Sequence, residues 1–311
     1  MKLLLASTAI LSLSSGLAMA EVTLSGSARM GIIDDFGDDN TGFTSRARVE
    51  FTLSGESDSG ISFGASFRAD NATGANAGTA GSVFVSGAFG KLSMGDVDGA
   101  ANAAAGQVNG VGLTGLGDMN ELTFIGNGGA DYDGAPAVGL DDTVDPSALY
   151  EYTAGNFALY LSSTQLQQAV GGQAVAVAGK YTAGNYSVSL GYENLDAQDD
   201  YVWEQLVLGG SATFGAVTLK AVYADGKNNQ GDDWNQYAVS ASYTADALTI
   251  TAFVADDEDL LDNDLGTASS AKAYGLGAAY DLGGGASVVG GYVKNQTADT
   301  NAFDLGLSFA F

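Results

Sequence analysis

Four of the chain's eleven basic residues are arginines at positions 29, 46, 48 and 68, close together in the first quarter of the sequence. A guanidinium stays charged at any physiological pH and presents a rigid fork of N–H donors. Charges of the opposite sign follow at Asp96, Asp98, Asp118, Glu121, Asp131 and Asp133, with Asp141, Asp142 and Asp145 close behind. Set face to face across a water-filled gap, the two groups would make a transverse field that orients dipolar solutes. Gap width and lining charge would then decide what passes. The plainer reading is that Arg29, Arg46, Arg48 and Arg68 only pair with nearby carboxylates such as Glu50 and Asp70. Spacing does not select the acids that face the gap; Asp118 and Glu121 come first because they are central in their stretch.

Covalent chemistry finds little to work with. The chain has no histidine and no cysteine, which excludes a Ser-His-Asp triad, a Cys-His pair and an imidazole metal site. Gly110, Gly112 and Gly115 fit the spacing of a dinucleotide fingerprint, but no strand–turn–helix unit surrounds them. The acidic runs at 256–259 and 262–264 have the composition of calcium ligands without the EF-hand spacing, its sixth-position glycine or its terminal Glu. Acid pairs suited to glycoside hydrolysis occur everywhere in so acidic a chain, and spacing singles out none.

The arginines must be held by strands, because the segments carrying them alternate with period two. In EVTLSGSARMGII, Val22, Leu24, Ala28, Met30 and Ile32 share one face, and Thr23, Ser25, Ser27 and Arg29 the other. In FTSRARVEFTL, Phe43, Ala47, Val49, Phe51 and Leu53 oppose Arg46, Arg48 and Glu50. ISFGASFRA repeats the pattern, with Ile61, Phe63, Ala65 and Phe67 opposite Ser62, Ser66 and Arg68. All four arginines therefore lie on the polar face. If the apolar face meets lipid they point into a wet interior; on the lipid face near the midplane each would cost roughly 2–4 kcal/mol.

Later segments form hairpins: LYEYTAGNFALYL, VAVAGKYTAGNYSVSLGYE, LGGSATFGAVTLKAVYA, YAVSASYTADALTITAFVA and AYGLGAAYDLGGGASVVGGYV, with FDLGLSFAF as the closing strand. Their turns hold Gly, Asn and Asp, which tolerate positive φ or bond locally to the backbone. Between them lie acidic segments read as long loops, NLDAQDDYVWEQ, DGKNNQGDDWNQ and DDEDLLDNDLGTASS. The count from Val22 to Phe311 is sixteen strands, with seven short turns at one end and eight long loops at the other. An even number with that asymmetry predicts an all-β fold, a 16-stranded antiparallel transmembrane β-barrel. Tyr152, Phe157, Tyr181, Tyr186, Phe214, Tyr243, Tyr280 and Phe311 are expected to form an aromatic girdle at the turn end, and Trp203 and Trp234 to mark the loop end. Closure would give the last strand a partner on both edges.

One stretch, about 96–145, breaks the rhythm with Gly, Ala, Asn and Asp, and both prolines, Pro136 and Pro146, lie in it or at its exit. So long an irregular segment in an ordered domain is usually functional, and it is read as folding into the bore. Residues 1–20 read as a cleaved signal peptide: Lys2, the apolar run Leu3–Leu13 and the Ala18-Met19-Ala20 cleavage site. The mature barrel is expected over 21–311, with ten bases against 37 acids. A formal charge of -26 for the whole chain argues against nucleic-acid binding, since phosphates need Lys and Arg to neutralise them. It favours mild cation preference, which the arginines can cancel or reverse.

The strings EVTLSGSARMGI, SRARVEFTLSG, DSGISFGASF, VFVSGAFGKLSMGD, EYTAGNF, AYGLGAAYDLGGGASVVGG and LGLSFAF resemble, across the whole mature chain, the general-diffusion porins of alphaproteobacteria, of the Rhodobacter type. That resemblance implies a homotrimer in the Gram-negative outer membrane, in contact with lipid and lipopolysaccharide. It implies a third external loop that narrows each pore, and matches Arg29, Arg46, Arg48 and Arg68 to the family's basic wall. Calcium is bound near the loops in some members, and Asp118, Glu121, Asp141 and Asp142 are the ligands expected here; no cofactor is required. Residues Gly99–Gly117 carry no charge, unlike many members, and the PEFGG string of enteric porins is missing. The expected function is a passive, water-filled channel for small hydrophilic solutes and ions. Its alternatives are a plugged barrel serving as an adhesin or lipopolysaccharide-bridging protein, and a hydrolase using carboxylates alone. Trimerisation would bury a flat lipid-side patch of small residues, for which Gly26, Ala28, Ala47 and Ala65 on the early strands are the candidates.

Overall fold

Alternation along the chain becomes a closed antiparallel sheet in the computed structural model, which describes residues 21–36, 41–70, 81–126, 147–164, 173–196, 202–257 and 271–311. Strands β1 (Glu21–Asp34), β2 (Gly42–Glu56), β3 (Ser62–Asp70), β4 (Gly81–Gly87) and β5 (Gly90–Gly95) precede a short helix, α1 (Ala100–Ala105). The barrel continues with β6 (Ser147–Ala154), β7 (Phe157–Ser163), β8 (Gln173–Ala183), β9 (Tyr186–Asp196), β10 (Val202–Phe214) and β11 (Val217–Asn228). It ends with β12 (Asp233–Ala245), β13 (Leu248–Asp257), β14 (Ala271–Gly283), β15 (Ala286–Asn295) and β16 (Thr300–Ala310). Each strand pairs with its neighbours in sequence, and β16 pairs with β1 from Ser27↔Ala310 to Asp34↔Phe303. Two further bonds fix the seam: Phe311 N–H donates to the Gly26 carbonyl at 2.9 Å, and Gly26 N–H to the Phe311 carbonyl at 3.2 Å. No sheet edge is left, the condition for putting β-structure in hydrocarbon.

The outward faces are apolar and uncovered. Leu24, Val83, Phe157 and Leu276 each leave more than half of their surface open, which suits contact with lipid tails. Beside the tight turns, Phe157 packs on Tyr181 with ring centroids 4.7 Å apart and Tyr186 meets Phe214 edge-on at 5.6 Å. Tyr152, Tyr243, Tyr280 and Phe311 are likewise exposed near the turn end. Trp203 and Trp234 do not join a girdle at the loop end. They point inward, with 4% and 3% of their surface exposed, and the Trp234 indole N–H donates to Gln205 Oε1 at 2.9 Å. Both indoles fall on the inward parity of their strands, and the polar N–H finds its partner there.

The eight connections at the loop end are not all long. Strands β11 and β12 are joined by only 229–232, and β15 and β16 by 296–299. Most of DGKNNQGDDWNQ is thus strand. Its turn is closed by Asn228, whose Oδ1 accepts the N–H groups of Gln230, Gly231 and Asp232 at 2.9–3.0 Å. That local bonding is what lets an Asn imitate a backbone turn.

Inside the barrel, the stretch after β5 lies against the wall. Its first part is helical, which the Gly- and Asn-rich sequence hides; five of the six residues from Ala100 to Ala105 are alanine, the best helix former. Helix α1 packs on β7, β8, β9 and β10, with Ala100, Ala101 and Ala104 buried. Val108, Val111, Leu116, Leu122 and Phe124 then pack on Val207, Val222, Ala224, Ala238, Phe253, Ala255, Ala273, Val293 and Ala302. The lumen wall from β10 to β16 is therefore partly apolar, because a loop rather than water covers it. Phe253 sits in this cluster, 4% exposed. Phe253→Ala is expected to destabilise the barrel by about 3–5 kcal/mol, read as a lower urea midpoint for vesicle-inserted protein. An unchanged midpoint would show that the loop does not pack there.

Candidate constriction site

Pleating and register bring the arginines together. Arg29 stands directly opposite Arg46 across the β1–β2 pair, Arg48 opposite Asp70 across β2–β3, and Glu50 opposite Arg68. Like charges facing each other across a ladder repel, so the wall needs acceptors. Asp70 supplies two: Arg48 Nε donates to Oδ1 and an Nη to Oδ2, both at 2.7 Å. This fork-to-fork geometry is the strongest form of the pair. Arg68 Nε lies 4.0 Å from the same carboxylate. Arg29 Nη1 donates to the Leu113 carbonyl at 3.2 Å, so it touches the loop through a neutral group. The Nε–H groups of Arg29 and Arg46 find no protein acceptor among the described residues.

The loop acids are spread along the loop. Asp96 shares a recess of about 190 Å³ with Arg48, Glu50, Ser66, Arg68 and Ser82. Asp98 accepts a bond from Asn102 Nδ2 at 3.1 Å. Asp118 holds a positive φ of 51° and Glu121 N–H donates to its carbonyl at 2.8 Å; both side chains belong to exposed residues. Asp131, Asp133, Asp141 and Asp142 lie outside the described residues. Of the eight loop and wall residues described, the structure thus gathers the four arginines and Asp96 on one side of the bore. Asp118 and Glu121 sit together farther along the loop. Among the described residues no group of three or more acids is placed to hold a metal ion, and two of the four expected calcium ligands, Asp141 and Asp142, are not among them.

Polar groups of the opposite wall fix the loop. Ala100 N–H donates to Ser162 Oγ at 2.8 Å, and Asn109 N–H to Ser240 Oγ at 3.0 Å. The Lys220 ammonium donates to the Gln107 carbonyl just beyond the helix, where a cation also meets the negative end of the helix dipole. On the return arm, Thr123 N–H donates to Gln236 Oε1 and Gln205 Nε2 to the Thr123 carbonyl, both at 2.9 Å. Gly126 N–H donates to Glu193 Oε1 at 3.1 Å, and Gln205 Nε2 to Glu193 Oε2 at 3.0 Å. Glu193 is fully buried, which is tolerable for a carboxylate only with such donors around it. Sequence reasoning did not single out Lys220, Glu193, Gln205 or Gln236. The available signal was a long polar side chain at inward parity in the interior of a strand.

A family model for Gram-negative porins matches residues 6–300. The porin of Rhodobacter capsulatus is 41% identical over 314 residues, covering 94% of this chain and all of that one. Among solved structures, a porin refined at 1.8 Å superposes with a TM-score of 0.76 at 39% identity, over 94% of this chain and the whole of its own. A triple mutant of the Rhodopseudomonas blastica porin, at 24% identity and the same coverage, gives a TM-score of 0.69 and bears on the fold alone.

The pairing of Arg48 with Asp70 makes its own prediction. Asp70→Ala leaves the guanidinium uncompensated, so the reversal potential in a salt gradient is expected to move towards anions. Both groups are partly exposed, and stability should change by no more than about 1 kcal/mol. A reversal potential that stays put would mean the pair does not face the ion path.

Proposed function

The chain belongs to the Gram-negative porins, and on that premise we propose that it is a passive, water-filled channel of the outer membrane for small hydrophilic solutes and ions, narrowed between the arginine wall and the inward loop. The observation that carries the narrowing is the one-sided filling of the lumen. The loop covers the inward faces of β7 to β16, whereas Arg68 keeps 47% of its side-chain surface open on the β1–β5 side and Glu50 is exposed beside it. Solutes passing there meet guanidiniums on the wall and mostly neutral backbone on the loop. Selection by width, lining groups and charge follows.

Charge at the loop end supports a second element of the reading. Lys227, Lys272 and Lys294 are each paired, with Glu204 at 3.5 Å, Asp256 at 2.7 Å and Asp299 at 2.6 Å. The Lys294 ammonium holds the Asp299 carboxyl below the usual carboxylate range. The remaining acids of the rim leave that entrance negative, so cations concentrate at the mouth and the arginines oppose them at the narrowing. For assembly we propose a trimer through the outward patch of β1–β3. Ala28 lies directly opposite Ala47 there, with Gly26 two residues away on β1, giving a small flat surface, while Ala65 stands apart from them opposite Leu53. Calcium between acidic loops and lipopolysaccharide belongs to the same proposal.

Liposome swelling tests the channel directly. Rates that fall with increasing sugar size are expected, and folded protein that gives no swelling would move the plugged, adhesin-like barrel to the front. For the wall, the double substitution Arg46→Ser and Arg48→Ser is expected to shift the reversal potential towards cations and raise conductance, with the barrel intact. No shift would remove those two side chains from the narrowing.

A further inference from the structure

Halfway along its described course the loop reaches the seam of the barrel and meets a carboxylate that no role above uses. Asp304 of β16 is 3% exposed. Its Oδ1 accepts Leu113 N–H at 2.9 Å, and its Oδ2 accepts Thr114 N–H at 2.7 Å and Thr114 Oγ–H at 2.8 Å. Each bond to an ionised acceptor is about twice as strong as a neutral one. On the wall Asp304 stands opposite Ile33 of β1 and Gly291 of β15.

Behind the loop there is no room. A Cβ added at Gly291 would lie 2.6 Å from Gly112 N, and one at Gly277 2.8 Å from Val111 Cβ. Added at Gly306 or Gly31, it would lie 2.7 Å from Leu113 Cδ2. The loop is therefore seated at backbone contact on a glycine floor. Gly112 itself takes a φ of +89°, and a side chain there would strike the Asp304 carboxylate at 2.8 Å. In front of the loop lies the bore, with Arg29 reaching the Leu113 carbonyl.

We propose that Asp304 is the positioning residue of the constriction: it pins the loop's far turn to the glycine floor, so that losing it frees the loop only inward, closing the passage rather than widening it. The inference rests on the channel reading. The direction of movement follows from the geometry, because a segment with a wall at its back moves away from that wall.

Single-channel recording of Asp304→Ala, Asp304→Asn and the pair Thr114→Cys with Asp304→Cys tests it. The chain has no native cysteine, so the engineered pair is unambiguous. The alanine variant is expected to lose the steady open level to frequent partial closures and to carry a lower mean current. The asparagine variant, which keeps one acceptor oxygen, should fall between it and the parent. The cysteine pair should be quiet when oxidised and flicker once reduced in the same bilayer, which a loss of folding would not reproduce. If the alanine variant does not assemble, the oxidised pair carries the test. A steady level in the alanine variant or the reduced pair, unchanged or larger, overturns the proposal. Silence from the folded parent chain would instead defeat the channel reading.

Discussion

Hydrocarbon offers no partner to a backbone N–H or C=O, so a sheet that crosses a membrane must satisfy every such group within itself. The rest of the structure follows from that constraint. Sixteen strands can meet it only by closing, and the closure is made by β1 and β16 along eight paired positions with Phe311 completing the seam. A ring of this many strands encloses a lumen that side chains alone do not fill. Something must then be folded inside if the hole is to be selective, and the stretch after β5 is that something.

Two kinds of contact hold it, and they act at different places. Apolar packing dominates along β10 to β16, where Val108, Val111, Leu116, Leu122 and Phe124 meet a wall of valines and alanines with Phe253. Hydrogen bonds with polar groups of the wall fix particular points: Ser162 and Lys220 near the helix, Asp304 at the far turn, Gln205, Gln236 and Glu193 on the return. Packing gives adhesion without register, and directional bonds to single residues supply the register. Within the arginine wall, Arg48 needs no such loop partner, since Asp70 on the adjoining strand already pairs with it, whereas Arg29 bonds to the loop carbonyl of Leu113.

Strand number, closure and the inward parity of Arg29, Arg46, Arg48 and Arg68 were legible in the sequence because a period of two is a direct print of which face meets lipid. Parity says only that a residue points inward, and nothing about what it meets there. Asp304 reads as an ordinary wet carboxylate in FDLGLSFAF until the loop's path brings Leu113 and Thr114 to it. Gly277, Gly291 and Gly306 read as weak strand residues, yet the first two leave space for the loop backbone at Gly112 and the third for the Leu113 side chain. Trp203 and Trp234 were misplaced for the same reason: an aromatic near a loop end suits an interface, and only the covered lumen gives an inward indole a dry site. The short helix α1 escaped because Gly and Asn around it dominate the local composition.

The central claim is that one side of the bore is sealed by the loop and the other left open to passing solute. Reaction of single cysteines with a charged, membrane-impermeant thiol reagent measures this directly in a chain with no cysteine of its own. Ser66 borders the open recess, whereas Ala238 is fully covered although it also points inward. The account predicts rapid labelling at position 66 in Ser66→Cys and none on the same timescale at position 238 in Ala238→Cys. Equal rates at the two positions would contradict it.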